Sequence, residues 1–218
     1  IVVFERSGYI SYANCGLPYY IGDVITDAEE LTLQTPESFY SRFRVDMRVH
    51  HEVTAIHPEN KTVSVKNLKT GEEFEESYDK LILSPGAKPT QPRFSGTELD
   101  KVFTLRTVED TLRIKKYINQ NHPKSVVLAG GGFIGLELAE NLRELGMDVT
   151  IVQNGKQLMN LFDHDMASFI HNEMRKHGVK LALGHTVEGF EDRDGGVDVL
   201  LKDDAPLHAD MVVLAIGV

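Results

Sequence analysis

The sequence is poor in the residues that mark secreted and membrane proteins: it contains one cysteine, no tryptophan and no long uninterrupted apolar run. One cysteine cannot form an intrachain disulfide, which is typical of proteins in the reducing cytoplasm. The longest apolar stretch, Val126 to Leu136, is interrupted by glycines. It is shorter than the roughly 18 residues that span a bilayer. The sequence therefore predicts cytoplasmic localisation and no membrane partner.

Basic residues are also scarce. Lysine and arginine number 23 against 33 aspartates and glutamates, which gives a net charge of -10 over 218 residues. Such a surface repels the phosphate backbone of nucleic acids, so no nucleic-acid partner is expected. Apolar side chains, by contrast, make up 41% of the residues, enough for one large domain or two small ones.

An internal repeat indicates two related halves. Residues 51–87 and 185–218 each predict several short strands joined by polar turns, followed by an apolar strand and a glycine. A strand, a glycine cluster and a helix precede the second copy. The strand that matches in the first copy is residues 1–5, with no such cluster or helix ahead of it. This alignment predicts that the first copy is truncated at its N-terminus and that the chain is a fragment of a longer protein.

A βαβ unit surrounds the glycine cluster. Residues 125–129 are apolar and largely β-branched, as expected for a strand buried on both faces of a parallel sheet. A helix with an apolar stripe follows, Gly146 stands at its C-cap, and a second strand covers residues 149–152. The stripe consists of Ile134, Leu138, Leu142 and Leu145.

Two more helices are predicted. One begins in a capping box at Thr107 and ends before Pro123. The other begins at Asp163 or Asp165 as N-cap and ends at Gly178. Its predicted buried face consists of Met166, Phe169, Ile170 and Met174.

The glycine cluster forms a GxGxxG motif. Gly130 allows a tight turn, Gly132 lets the backbone approach a pyrophosphate, and Gly135 packs the helix against the strand. The first turn of the helix offers free N–H groups to the anion. The strand before the motif and the amphipathic helix after it favour a dinucleotide-binding loop over a structural glycine turn.

The residue that ends the strand after the glycine motif and its helix bears on which nucleotide binds. In NAD-binding proteins an acidic residue there accepts hydrogen bonds from the adenosine ribose. Gln153 occupies this place in the second copy and can accept hydrogen bonds without a charge. It neither repels a 2′-phosphate nor supplies the arginine that binds one, so NADH is favoured and NADPH stays open. Glu5, its counterpart in the first copy, is either a ribose ligand or a solvated strand-end charge.

Cys15 lies within the segment SYANCGLPYY. A lone cysteine is commonly a small buried hydrophobic residue. If residues 16–20 begin a helix with Pro18 in its first turn, the free N–H groups would instead stabilise a thiolate, the form that attacks disulfides. The neighbouring residues favour the second interpretation and do not exclude the first.

The segments SYANCGLPYY, YDKLILSPGA, GGGFIGLELAENL and AIGV, in this order, resemble the pyridine nucleotide-disulfide oxidoreductases. The resemblance covers essentially the whole chain and is strongest to the single-cysteine branch, which comprises coenzyme A-disulfide reductases and NADH-dependent persulfide reductases and has NADH oxidases and peroxidases as close relatives. It implies an α/β fold with two Rossmann-like domains and β-meander inserts. Residues 1–122 would form a partial FAD-binding domain with the redox cysteine, and residues 123–218 the NAD(P)-binding domain.

The same resemblance implies roles for single residues, with FAD and NADH or NADPH as cofactors and a homodimer as the assembly. Cys15 matches the redox cysteine, and Ser11 and Asn14 match positions that contact coenzyme A. Arg42 is either a solvated surface residue or a ligand of the coenzyme A phosphates. The positions that match cofactor contacts are Glu5, Val53, Ser84, Gly86 and Arg106 for FAD, and Gly130, Gly132, Phe133, Ile134, Gly135, Glu137, Gln153 and Gly217 for the nicotinamide cofactor.

The implied reaction is reduction of a coenzyme A disulfide or persulfide by NAD(P)H through FAD and Cys15. Two alternatives stay open: an NADH oxidase or peroxidase in which Cys15 cycles through sulfenic acid, and a non-catalytic module that senses NADH. No metal site is predicted. His164, His171 and His177 lack the spacing and the accompanying ligands of a zinc site and are expected at the surface.

Overall fold

The computed structural model describes residues 1–90 and 92–217. The first elements in chain order are β1 (Val2–Glu5), β2 (Ser11–Tyr12), α1 (Leu17–Ile21), β3 (Thr32–Gln34), α2 (Pro36–Phe43), β4 (Asp46–Val49), β5 (His51–His57), β6 (Thr62–Asn67) and β7 (Glu73–Ser77). The remaining elements are β8 (Val102–Thr104), α3 (Val108–Asn121), β9 (Ser125–Ala129), α4 (Phe133–Glu144), β10 (Asp148–Gln153), α5 (His164–Lys176), β11 (Lys180–Leu183), β12 (Val187–Arg193), β13 (Gly196–Leu201), β14 (Leu207–Ala209) and β15 (Met211–Leu214). Among the described residues, no helix combines the length and the apolar character needed to cross a membrane.

The chain divides into two compact units. The first contains Ile1–Ala13 and Ala28–Gly86, and the second contains Asn14–Asp27 and the residues from Ala87 onward. The predicted boundary between residues 122 and 123 falls inside the second unit, because β8 pairs with β15 in one sheet and α3 packs against α1. The predicted boundary follows the sequence repeat rather than the packed units, and it stays a prediction.

A parallel sheet forms the framework of the second unit. Its strand order is β11-β10-β9-β15-β8, and every pairing is parallel. Residues 126–129 of β9 are at most 2% exposed, as predicted for a strand covered on both faces. The winding of the chain reverses between β9 and β15, as it does at the ligand-binding point of a Rossmann fold. The predicted α/β fold class is confirmed.

Each unit also contains a three-stranded antiparallel meander, β5-β6-β7 in the first and β12-β13-β14 in the second. Their first strands carry an irregularity in register, between Val53 and Ala55 in one and between Val187 and Gly189 in the other. The two irregularities fall at the same position when the copies are aligned at residues 51 and 185. The structure therefore confirms the predicted recurrence of short antiparallel strands, down to a single-residue feature.

The first unit repeats the strand pair that precedes the meander, but not the strand that follows it. The parallel pair β1-β4 corresponds to β10-β11. The predicted apolar strand at residues 81–83 is wrong: these residues form exposed coil, and Ile82 is 86% exposed. Its counterpart β15 is held between β9 and β8, whereas no described strand of the first unit provides such neighbours for residues 81–83.

The helices α3 and α4 agree with their predicted signals. Thr107 and Asp110 exchange the two hydrogen bonds of a capping box at the start of α3. Helix α4 buries Leu138 and Leu142, and Gly146 follows it with a φ of 85°, which favours glycine.

Helix α5 lies where it is predicted, but its buried face differs. Met166 and Phe169 are exposed, whereas Ala167 and His171 are buried. The expectation that His171 lies at the surface is therefore wrong. A histidine can be buried here because its ring nitrogen accepts a hydrogen bond from a backbone N–H.

Candidate dinucleotide site and redox cysteine

A cavity of about 710 Å³ opens at the carboxyl ends of β9, β10 and β15. Parallel sheets bind ligands at this edge, where loops meet the N-termini of helices. All its described lining residues belong to the second unit, and none of them carries a carboxylate. The predicted site residues that line it are Gly130, Gly132, Phe133, Gln153 and Gly217.

Two glycines of the motif are required by the backbone. Gly130 has a φ of 115°, and its N–H donates to the carbonyl of Val152 at 2.8 Å. A Cβ atom at Gly130 would overlap the carbonyl oxygen of Ala215, and one at Gly135 would overlap the carbonyl oxygen of Gly130. These two positions therefore need glycine for the turn and for the approach of α4 to β9.

Gly132 differs, because its missing side chain leaves space. It has an ordinary extended conformation, with φ -87° and ψ -168°, and a Cβ atom there would meet nothing within 4 Å. Gly132 is also the N-cap of α4, so the N–H groups of the following turn have no acceptor within the helix. Open space beside free N–H donors fits the pyrophosphate of a dinucleotide.

Gln153 contacts the glycine turn directly. It is 9% exposed, and its Oε1 accepts a hydrogen bond from the N–H of Gly131 at 2.9 Å. Its Nε2 donates to Oδ1 of Asn154 at 3.3 Å. The acceptor oxygen is therefore engaged, and the amide nitrogen is the group that remains for a ribose or a 2′-phosphate.

Cys15 is exposed and lies in a 3₁₀ turn, Asn14–Gly16, that leads into α1. Pro18 occupies the first turn of α1, as predicted. The exposure rules out the interpretation of Cys15 as a small buried hydrophobic residue.

Contacts at both ends of α1 fix this helix to the rest of the second unit. Before it, Nη1 of Arg106 donates to Oδ1 of Asn14 at 3.1 Å. After it, the buried Nζ of Lys115 donates to the carbonyl of Ile21 at 2.8 Å and lies 2.7 Å from a carboxylate oxygen of Asp23. The turn that contains Cys15 therefore leads into a helix that α3 anchors.

Glycine also brings α1 close to α4. A Cβ atom at Gly22 would overlap the side chain of Asn141, which is buried and donates to the carbonyl of Glu137 at 2.8 Å. Burial and the carboxylate of Glu140 raise the pKa of Glu137. Burial and the carboxylates of Glu140 and Glu137 raise the pKa of Tyr19, a residue of α1. The carboxylates of α4 therefore lie close enough to α1 to influence the ionisation of one of its residues.

The family model for pyridine nucleotide-disulphide oxidoreductases matches residues 1–218. The chain belongs to this family. Among the curated relatives of this chain is the coenzyme A disulfide reductase of Staphylococcus aureus strain MRSA252. It is 40% identical over 217 residues, which are 100% of this chain and 48% of that protein. The chain thus spans about half the length of the curated relatives it matches.

Two of the matching solved structures illustrate the fold of this chain. Reduced Bacillus anthracis CoADR-RHD superimposes with a TM-score of 0.94 at 47% identity, over 100% of this chain and 39% of that one. The water-forming NADH oxidase from Lactobacillus brevis, bound to NADH, gives a TM-score of 0.93 at 33% identity, over 99% of this chain and 47% of that one.

The other predicted site residues are not among the described residues that line the cavity. In the second unit, Ile134, Gly135 and Glu137 lie in α4, and Arg106 contacts Asn14. The first unit contains six more, which are Glu5 at the end of β1, Ser11 in β2, Arg42 in the last turn of α2, Val53 at the bulge of β5, and Ser84 and Gly86 in exposed coil. The roles of these residues stay predictions.

Three further residues fix segments next to the candidate site, and these roles were not predicted from the sequence. Lys115 and Asn141 hold α1, and His171 holds a loop beside the cavity. A signal for Lys115 exists, since it lies at helical spacing between the buried Thr111 and Ile118. A charged residue on an apolar helix face indicates a buried partner.

Proposed function

We propose that this chain is part of a flavoprotein that uses NAD(P)H to reduce a coenzyme A disulfide or persulfide through Cys15. The proposal rests on one observation. Helix α1 directly follows the turn with the exposed Cys15, and it packs against α4, which directly follows the glycine turn. The fold and sequence similarity to a coenzyme A disulfide reductase supports the substrate class. A homodimer stays a prediction.

The nicotinamide cofactor fits the cavity of the second unit. Gly132 leaves space for the pyrophosphate, the first turn of α4 donates to it, and Gln153 stabilises the turn through Gly131. Together with the flavin of the family, the bound cofactor supplies two electrons as a hydride. Phe133, which is 59% exposed at the start of α4, would cover the site.

The flavin has fewer ligands in the described residues. Glu5 ends β1 as Gln153 ends β10, and its carboxylate accepts a hydrogen bond from the N–H of Ser7 at 2.6 Å. No described residues of the first unit form a counterpart of the glycine turn and helix N-terminus. Glu5, Ser84 and Gly86 alone do not fit the diphosphate of FAD, so this chain by itself is not expected to hold it.

Cys15 performs the sulfur chemistry in this proposal. Its thiolate attacks one sulfur of the coenzyme A disulfide, the S–S bond breaks, a mixed disulfide forms, and one coenzyme A leaves as a thiolate that takes a proton from solvent. Two electrons and a proton then reduce the mixed disulfide, which releases the second coenzyme A and regenerates the Cys15 thiolate. A single cysteine suits this sequence, since the substrate sulfur is the second partner.

Helix α2 offers groups that fit coenzyme A. The rings of Phe39 and Phe43 are in tilted contact with centroids 4.7 Å apart, and the guanidinium of Arg42 lies 5.0 Å from the Phe43 ring centroid. Arg44 lies in the same way over Tyr40 at 5.6 Å. None of the residues of α2 is buried. Exposed aromatic rings beside guanidinium groups match an adenine and its phosphates.

The principal rival is an oxidase in which Cys15 cycles through sulfenic acid, which the similarity to a water-forming NADH oxidase favours. Mass spectrometry of the complete protein separates the two. A coenzyme A adduct on Cys15 supports the reductase, and a sulfenic acid without an adduct supports the oxidase.

The isolated 218-residue chain is expected to purify colourless, to bind NADH weakly and to show no NADH oxidation with or without coenzyme A disulfide. The reason is the missing counterpart of the glycine turn in the described residues of the first unit. Isothermal titration with NADH and with FAD measures this. Tight FAD binding without NADH binding would invert the assignment of the two repeats.

Replacing Gln153 with glutamate is expected to sharpen the preference for NADH over NADPH. One carboxylate oxygen would keep the bond to Gly131, while the added charge would repel a 2′-phosphate. A shift of the ratio of kcat/KM values by about tenfold corresponds to about 1.4 kcal/mol of differential transition-state binding. Gln120→Glu, the same change at an exposed position of α3, is the control. An unchanged ratio in Gln153→Glu would show that the side chain does not face the ribose.

A further inference from the structure

The segment that follows β10, residues 154–162, lies over the glycine turn. Leu158 and Met159 are buried, at 0% and 3% exposure. The N–H of Met159 donates to the carbonyl of Gly131 at 2.8 Å, and a Cβ atom at Gly131 would overlap the side chain of Leu158. Met159, Asn160 and Leu161 line the cavity. The position of this segment therefore sets the shape of the nucleotide site.

The segment does not hold this position by local preference. Met159 has a φ of 50°, in the left-handed region that an unbranched side chain such as methionine rarely adopts. Such a conformation persists only where surrounding contacts fix it. The contacts of the segment with the rest of the second unit must therefore compensate for it.

His171 supplies one of these contacts from α5. The ring is 6% exposed, and its Nε2 accepts a hydrogen bond from the N–H of Leu158 at 3.0 Å. This bond requires an unprotonated Nε2, and a buried N–H left without an acceptor would be costly. The residue next to Leu158 is the strained Met159, so the bond acts where the segment most needs support.

The surroundings of His171 keep the ring neutral. Burial, Arg175 and His164 lower its pKa. His171 bonds to segment 154–162, and its helix packs against β11. The ionisable residue of the segment is Lys156 and that of β11 is Lys180, and both are cationic. No carboxylate on these two elements stabilises the imidazolium.

We infer that His171 is a positioning residue of the dinucleotide site, which holds segment 154–162 on the glycine turn through the N–H of Leu158. His171 is not itself a lining residue of the cavity, and it acts through Leu158 and Met159 on Gly131. The inference rests on the proposed binding of NAD(P)H in this cavity.

Three variants of the 218-residue chain test the inference. His171→Leu removes the acceptor, His171→Gln keeps an acceptor oxygen that does not titrate, and His177→Leu changes an exposed histidine of the same helix as a control. Fluorescence titration gives the dissociation constant for NADH at pH 7.5. We expect His171→Leu to weaken binding about tenfold, as the loss of a buried acceptor implies, and the other two variants to stay within about twofold of the unmodified chain.

A pH series with NAD⁺, which is stable in acid, gives a second readout. A histidine whose pKa is lowered by folding loses its contribution as the pH falls below its ordinary value of about 6.5. We therefore expect the unmodified chain to lose more affinity between pH 7.5 and pH 5 than His171→Gln does. His185, which lines the cavity, is present in both proteins, so any effect it has is the same on both sides of the comparison.

Equal NADH affinity in the unmodified chain and a folded His171→Leu would overturn the inference. If His171→Leu does not fold, identical pH profiles of the unmodified chain and His171→Gln would overturn it. Failure of the unmodified chain to bind either NADH or NADPH would instead refute the proposed nucleotide site.

Discussion

Replacing Cys15 with serine in the complete protein is expected to abolish reduction of coenzyme A disulfide or persulfide and to leave NAD(P)H binding and flavin reduction intact. Serine has nearly the same shape, but its hydroxyl does not form the nucleophilic anion at neutral pH. Because Cys15 is exposed, the change creates no cavity, and the free energy of unfolding should stay within about 0.5 kcal/mol. Stopped-flow absorbance of the flavin and steady-state thiol release measure the two half-reactions separately.

Substantial turnover of the sulfur substrate by the serine variant would remove Cys15 from the electron path. Loss of flavin reduction together with substrate reduction would place Cys15 upstream of the flavin instead. Both outcomes contradict the proposed order of electron transfer.

Replacing Gly132 with alanine is expected to weaken NADH binding by more than about tenfold, or about 1.4 kcal/mol, without destabilising the chain. The added methyl group meets no protein atom within 4 Å but fills the space assigned to the pyrophosphate. Its backbone angles suit alanine, so thermal stability should stay equal or rise slightly.

Gly130→Ala is the matched variant in the same turn. Its φ of 115° and the overlap with Ala215 should lower the free energy of unfolding by about 1–3 kcal/mol, together with loss of binding. Calorimetry combined with NADH titration separates the two effects. Undiminished NADH affinity in Gly132→Ala would show that the phosphates do not approach the backbone at this residue.

Features with a local physical cause could be predicted from the sequence. The capping box at Thr107 and the glycine after α4 are determined by residues within one or two turns. Residues 126–129 are apolar in succession, which indicates a strand covered on both faces. The repeat could also be predicted, because its pattern of short strands and polar turns recurs in order.

Features that depend on distant partners could not be predicted. Residues 81–83 are as apolar as those of β15, but a strand also needs neighbours, and the described residues of the first unit offer them none. In α5 the apolar pattern favoured Met166 and Phe169 for the buried face, whereas a backbone N–H from another segment makes burial of His171 favourable.

The candidate site shows the same division. The glycine turn follows from the motif, in which Gly130 and Gly135 are required sterically and Gly132 leaves space for a ligand. The orientation of Gln153 toward Gly131 and the contact of Lys115 with Ile21 join residues 22 and 94 positions apart in sequence. Spacing within one segment can indicate that a residue has a buried partner, but it does not identify that partner.

The attachment of α1 to α3 and α4 makes the single thiol of the chain a suitable attachment point for a probe of the second unit. A fluorophore or spin label coupled to Cys15 would be attached to the turn that leads into α1. This segment is fixed by Arg106, Lys115 and Asn141, all in the second unit. Its signal would follow the folding and ligand response of that unit alone. No cysteine would have to be added or removed to place the label, because the sequence contains only this one.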